Sequence, residues 1–321
     1  MKIAIAVLSL LVAFASSSPL RSQELIKLNV ASGPVDDTTP VLYAVKAGLF
    51  RRAGLDVQVT QLRSGAAIAA AVAGGSAQIG ASSLMPLISA NVHGVHFFIL
   101  APGTMYDTSI RNGLMVVQKN SPIHTAHDLN GQVIGTTSLS EVSAIATLAW
   151  IDQNGGDSRS VKMVEVSYPA MLPALVEGRI AAGALVSPTL EQQLESGQVR
   201  VLSNPKDAIA KHFLNSAWFT TADYATANPD IVARFARVMR EASAYANAHH
   251  AETVDLIAAF TGLDPAVVGR SVRPIWGERL DPSDIQPIID AAVKYKGIDR
   301  SFDAKELISP VASQAFGARR N

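Results

Sequence analysis

The 321-residue chain carries 27 basic and 27 acidic residues and no cysteine. The charge balance removes the basic footprint that nucleic-acid binding needs, and the missing thiols exclude disulfides, thiolate metal sites, a cysteine nucleophile and a lipid-modified cysteine. The length admits two domains with separate cores and leaves a small molecule as the expected partner.

At the N-terminus Lys2 precedes an apolar run over residues 3–15, broken only by Ser9, with small residues following to Ser18. That run is too short to cross a ~30 Å hydrocarbon core as a helix. Ala13-Phe14-Ala15 supplies an A-x-A cleavage pattern, so residues 1–23 read as a secretory signal peptide and the mature chain as a soluble export product.

Residues 27–101 then repeat one pattern three times: an apolar strand, a short loop of small hydroxylated residues, and a helix. Leu28-Asn29-Val30 leads to Thr38-Thr39-Pro40, where a hydroxyl suits an orphan backbone N–H and proline suits the first helical turn. This helix is expected to run to Ala53, with Gly54 as its stop. Residues 55–60 alternate with period two, Ser64-Gly65 opens an alanine-rich helix, and Gly74-Gly75 ends it. The third unit comprises a strand at 77–81, Ser82-Ser83, and a helix from Leu84; residues 95–100 form a further buried strand. Such β-α-β alternation predicts a parallel sheet covered by helices on both faces.

The same pattern returns from Gly113. After the strand 113–118 and the loop at Ser121-Pro122, residues 133–137 lead to Ser138 and Glu141. Their spacing is that of a capping box, in which each side chain satisfies the other's orphan donor. The strand 161–166 precedes Tyr168-Pro169 and a helix to Gly178; the strand 180–186 precedes Ser187-Pro188 and a helix to Gly197. From Asn228-Pro229 the pattern turns helical, with Ile231, Phe235, Val238, Ala242 and Tyr245 on one face. Asp264-Pro265 and Asp281-Pro282 start two more helices. This C-terminal part is expected to fold back on the first lobe, making lobe 1 residues 24–111 with 225–321, and lobe 2 residues 112–224.

In open α/β sheets the crevice lies at the carboxyl ends of the strands, where each loop leads into a helix start with unpaired N–H groups and a partial positive charge. Two such crevices facing each other would enclose a small polar or anionic guest. Thr38, Ser64, Ser82, Ser83, Thr136, Ser138, Ser140 and Ser187 would orient it. For any single hydroxyl, capping its own helix is the plainer account; the repetition in both lobes argues for a shared site.

Four blocks in order, GLFRRAGLDV over 48–57, VAGGSAQIG over 72–80, DLNGQVIG over 128–135 and LPALVEGRIAAGAL over 172–185, carry a resemblance to a known family. They are similar to the nitrate/taurine/alkanesulfonate-binding family of ABC-importer periplasmic substrate-binding proteins, within the thiamin-pyrimidine-synthase-like superfamily. Ala181 departs from the pattern, standing where that family often has an acidic residue. The resemblance implies an α/β, type II periplasmic binding protein fold: two doubly wound α/β lobes joined by two hinge crossings, expected near 107–112 and 218–224, that close over the ligand. It implies ligand contacts at Asp36, Asp37, Thr38, Thr39, Ser64, Ser82, Ser83, Thr136, Ser138, Ser140, Tyr168 and Ser187. Tyr106 and Trp218 are candidates to stack on a planar group, with ordinary packing as the other account of each.

The partners so implied are a small-molecule ligand and the permease and ATPase subunits of an importer, with the protein a periplasmic monomer; a sensor that signals to a membrane receptor would use the same closure. No cofactor, metal or nucleic acid is expected. The related synthase branch carries a cysteine-rich run that this chain lacks, so no enzymatic activity is expected either, and His124 with His127 reads as a surface pair. Arg63 or Arg111 could grip a carboxylate or sulfonate with paired N–H groups, which favours a small organic anion. Asp36 and Asp37 would repel one unless they cap the next helix, leaving an amine-bearing or heterocyclic ligand as the alternative.

Overall fold

A computed structural model describes residues 24–187 and 189–317. The expected signal peptide and Pro188 lie outside them. The first α/β stretch contains β1 (Ile26–Ser32), α1 (Thr39–Lys46), α2 (Leu49–Arg52), β2 (Leu55–Gln61), α3 (Gly65–Ala73), β3 (Ile79–Ser83), α4 (Leu84–Val92), β4 (Phe97–Pro102) and β5 (Thr104–Asp107). The second has β6 (Gly113–Gln118), β7 (Val133–Thr136), α5 (Val142–Gln153), β8 (Lys162–Glu165), α6 (Tyr168–Val176), β9 (Ala182–Val186), α7 (Thr189–Glu195) and β10 (Val199–Ser203). The chain returns through β11 (His212–Leu214) and β12 (Ser216–Thr221). It ends in α8 (Ala222–Ala227), α9 (Pro229–Ala248), α10 (Val254–Thr261), α11 (Pro265–Arg270), β13 (Ile275–Trp276), α12 (Gln286–Lys294) and α13 (Pro310–Phe316). Among the described residues no helix is long and apolar enough to cross a membrane.

Two five-stranded sheets result, ordered β2-β1-β3-β12-β4 and β10-β6-β9-β7-β8. The repeated units pair in parallel as expected, while β12 runs antiparallel to β3 and β4, and β6 antiparallel to β9 and β10. A third sheet, β11-β5-β13, ties the crossings together. The outward crossing follows β5, near the expected place. The return does not lie at 218–224: β12 sits inside the first sheet, so the chain has already come back over residues 204–215. The short apolar run at 217–219 reads equally well as a crossing or as a central strand, and the pairing with β3 and β4 decides for the strand.

The first helix breaks earlier than its pattern suggests, because Gly48 takes φ 69° and divides α1 from α2; Gly54, at φ 76°, ends the pair as expected. Alternation along β6 builds the second lobe's two layers. Leu114 and Val116 face Met171, Leu175 and Leu185, whereas Met115 and Val117 face Leu129, Ile134 and Ile151. One larger core spans the first lobe, covered by α9 through Val232, Phe235, Val238 and Met239. Val142 and Ile145 of α5 also join that core, so the second lobe's helix rests on the first lobe. Gly80 lets α3 sit on the sheet: a Cβ there would lie 2.7 Å from Ile68, and 2.9 Å from both Val72 and Phe219. Gly80→Ala is therefore expected to cost about 1–3 kcal/mol of stability in a denaturant titration; an unchanged midpoint would show that the contact relaxes freely.

Candidate functional site

The loop between β1 and α1 is shaped by its own side chains. Thr38 is buried, sharing a 2.6 Å hydrogen bond with Ser32 and donating to the Gly33 carbonyl; Thr39 donates to Asp36 at 2.6 Å. Asp36 is held further by Arg273, whose Nε and Nη2 donate to its two carboxylate oxygens at 2.5 and 3.0 Å. Arg273 in turn donates to the His250 carbonyl and faces the Trp276 ring. Asp36, Thr38 and Thr39 are thus consumed in holding the loop.

Asp37 points the other way. Its Oδ2 accepts from Thr104 at 3.1 Å, and Thr104 receives a hydrogen bond from Asn215 at 3.3 Å; Lys206 Nζ donates to Asn215 at 3.0 Å. Ser216, hydrogen-bonded to Thr104 at 3.0 Å, also donates to Asp37. A chain of donors therefore runs from the return crossing to one carboxylate of the first lobe, through the sheet that joins the lobes. Groups of the second lobe lie within electrostatic range too: Glu141 and the neutral Tyr168 hydroxyl are influenced by Asp37, and Lys206, on the return crossing, acts on both Asp37 and Glu141.

Burial dominates the electrostatics. It raises the Asp37 carboxyl above its ordinary range against the opposing hydrogen bonds from Ser216 and Thr104. Glu141 is raised by burial, which outweighs a 3.0 Å hydrogen bond from Thr137. Lys206 is lowered by burial while the two carboxylates pull it back up, and the Tyr168 hydroxyl is raised by burial and then by Glu141. Each of these groups is closely surrounded by protein while its side chain keeps some exposure to solvent.

The remaining expected residues fall into three groups. Thr136 is buried beside Ser143 at 3.3 Å, and Ser187 donates to Glu191 at 2.5 Å, next to the lobe contact in which the Val272 N–H donates to Glu191. Ser82 is buried with its Oγ unpartnered, facing Gly65, and Ser83 ends the same strand. Ser64 caps α3 by accepting from Ala67 at 3.2 Å; it and Arg63, Arg111 and Ser140 are exposed. The Ser138–Glu141 capping box does not form. Glu141 turns to Thr137, Ser138 accepts from Ser140, and α5 starts only at Val142.

Two aromatic expectations need correction. Trp218 is 1% exposed and packs on Phe235 in the first core, so it presents no face to a ligand. Tyr106 is likewise buried, stacked on Phe213, with its hydroxyl donating to Asp207 at 2.6 Å and accepting from Asn204 at 2.8 Å. It pins the two crossings to each other. What the sequence pattern did not single out is the hinge contribution of Lys206, Asn215, Thr104 and Ser216, together with Glu141 as a site group. A lone lysine after Asn204-Pro205 carries no periodic signal, whereas the Ser138–Glu141 spacing did draw attention to that loop, as a helix cap and not as a site.

Grooves elsewhere have a different character. One of about 520 Å³ lies behind the first lobe between Arg52, Arg234 and Arg237, and one of about 230 Å³ between His96, Arg300 and Phe302; neither touches this cluster.

The profile of the family described as NMT1/THI5 like matches residues 36–253. The chain belongs to that family. Its fold is similar to the periplasmic aliphatic sulphonate-binding protein SsuA of Escherichia coli, at 19% identity over 88% of this chain and 92% of that one, with a TM-score of 0.73. The alkanesulfonate-binding SsuA of Xanthomonas axonopodis pv. citri, bound to MOPS, matches at 19% identity over 91% and 98%, TM-score 0.71. The periplasmic nitrate-binding protein NrtA of Synechocystis PCC 6803 matches at 14% identity over 91% and 89%, TM-score 0.73. No curated protein matches the sequence. Identities this low carry the periplasmic binding fold, as the four sequence blocks implied, and no more. The matched region runs from the Asp36-Asp37 loop to the residue before α10, so it includes every group of the cluster.

Proposed function

We propose that this protein is the periplasmic substrate-binding component of an ABC importer, which holds a small guest between its lobes by hinge closure and does not transform it. Family membership and fold support a binding role. The convergence of Asp37, Glu141, Tyr168 and Lys206 from both lobes and the return crossing supports the place.

The observation that carries the ligand class is the pair of carboxylates. Asp37 and Glu141 offer acceptors from opposite lobes, and Lys206 is already engaged with Asn215. Arg63 and Arg111 are exposed, and Arg273 is spent on Asp36. This arrangement favours a nitrogen heterocycle with amine hydrogens, of the aminopyrimidine kind, over the organic anion that the arginines first suggested. Tyr168 would add a hydroxyl. The second reading, a sulfonate or carboxylate, draws support from Lys206 and from the ligands named for the E. coli and Xanthomonas relatives.

A thermal-shift screen with 4-aminopyrimidine, methanesulfonate, benzoate and nitrate separates the two. The aminopyrimidine, at about a hundred times its dissociation constant, is expected to add about 2.7 kcal/mol of stability. A melt moved by an anion and untouched by 4-aminopyrimidine would overturn the heterocycle reading.

A further inference from the structure

Lys206 sits in a short turn of the return crossing, between the two lobes, and its ammonium is the group through which the donor chain to Asp37 begins. It also lies 3.6 Å from where a Cβ on Gly113 would stand, so it sits beside the first residue of β6, just after the outward crossing. A structural lysine at a hinge would ordinarily reach water, since its long stem allows it. This one turns inward.

We propose that Lys206 is a tethered counter-cation that sets the charge of acceptable guests, by neutralising one of the two carboxylates that the lobes bring to the gap. Two carboxylates alone would select a doubly charged or strongly cationic guest. With an internal cation fixed at the hinge, the same gap suits a neutral or singly charged molecule, because a further cation would meet like charge. Asn215 fixes the ammonium in place, and the glycine at 113 leaves it room. Other charged groups around it have partners of their own: Asp207 is held by Tyr106 and Lys211, and Asp36 by Arg273. Glu165, which acts on Glu141, accepts from the Leu139 N–H. The directions of titration agree, since Lys206 opposes the rise of both Asp37 and Glu141.

This inference deepens the aminopyrimidine reading and rests on it for the guest, so its test has one arm that needs no guest. In the ligand-free protein, carboxyl carbon resonances of Asp37 and Glu141 are followed against pH in wild type, Lys206→Met and Lys206→Arg. Both carboxyls are expected to titrate higher in Lys206→Met and to return toward wild type in Lys206→Arg. Unchanged titration in Lys206→Met would overturn the counter-cation role. The second arm compares calorimetric affinities for 4-aminopyrimidine and its permanently charged N1-methyl cation. Lys206→Met is expected to raise the preference for the cation roughly tenfold, an effect that mere loss of the Asn215 contact would not produce. An unchanged ratio overturns charge selection. Shifted titration with neither probe bound by the wild type would leave Lys206 as the counter-cation and remove the aminopyrimidine class.

Discussion

Replacing Arg273 with methionine is expected to lower the unfolding free energy by about 3–5 kcal/mol, because it leaves the Asp36 carboxylate in a largely closed site without its cation. The Arg273 side chain is 5% exposed and that of Asp36 18%, so solvent can replace little of the pair. The loss extends beyond one ion pair, since the guanidinium also ties the His250 carbonyl and the Trp276 ring to the loop, and Trp276 itself donates to the Asp36 carbonyl at 3.3 Å. Guanidinium titration of the single variant and of Asp36→Asn/Arg273→Met checks the mechanism. The double variant is expected to recover part of the loss, as the orphan charge is gone; a double variant that is no more stable than the single would assign the effect to packing.

The second large effect concerns Asp37. Asp37→Asn is expected to weaken 4-aminopyrimidine binding about a hundredfold, the loss of one charge-assisted hydrogen bond of roughly 2–3 kcal/mol. The pH dependence gives the change a signature. Burial raises the Asp37 and Glu141 carboxyls in the folded state, so the native protein binds more protons than the unfolded chain between the ordinary carboxyl range and those raised values. Stability of the free protein therefore declines as pH climbs through that window, and affinity for an N–H-donating guest increases as the carboxylates ionise. Asp37→Asn should flatten both trends, leaving the share due to Glu141. Slopes equal to wild type in both measurements would take Asp37 out of the site.

Much of the architecture was legible because it is local. Proline and hydroxyl residues at helix starts, glycines at helix ends and period-two runs mark β1 through α4 and β7 through α7 almost element by element. The first-lobe cover by α9 was equally plain from one apolar face. What failed was what depends on pairing or on distance in the chain. Whether residues 216–221 cross or join the sheet is set by their partners on β3 and β4, which no local pattern records. Ser138 and Glu141 have capping-box spacing, yet Thr137 competes for the same carboxylate and wins. Asp36 and Asp37 are neighbours of one chemical kind, and only Arg273, far along the chain, separates their tasks by claiming the first. Lys206 carries no motif at all; its meaning comes from the hinge sheet that brings Asn215 and Thr104 alongside it.

Nuclear magnetic resonance with backbone amides assigned, recorded with and without saturating 4-aminopyrimidine, reads the central claim most directly. Simultaneous perturbation of residues 36–39 in the first lobe, 137–142 and 168 in the second, and 206 and 215 at the return crossing is predicted. Changes confined to one lobe, or gathered at the arginine groove behind α9, would contradict a guest enclosed where the two lobes and their hinge meet.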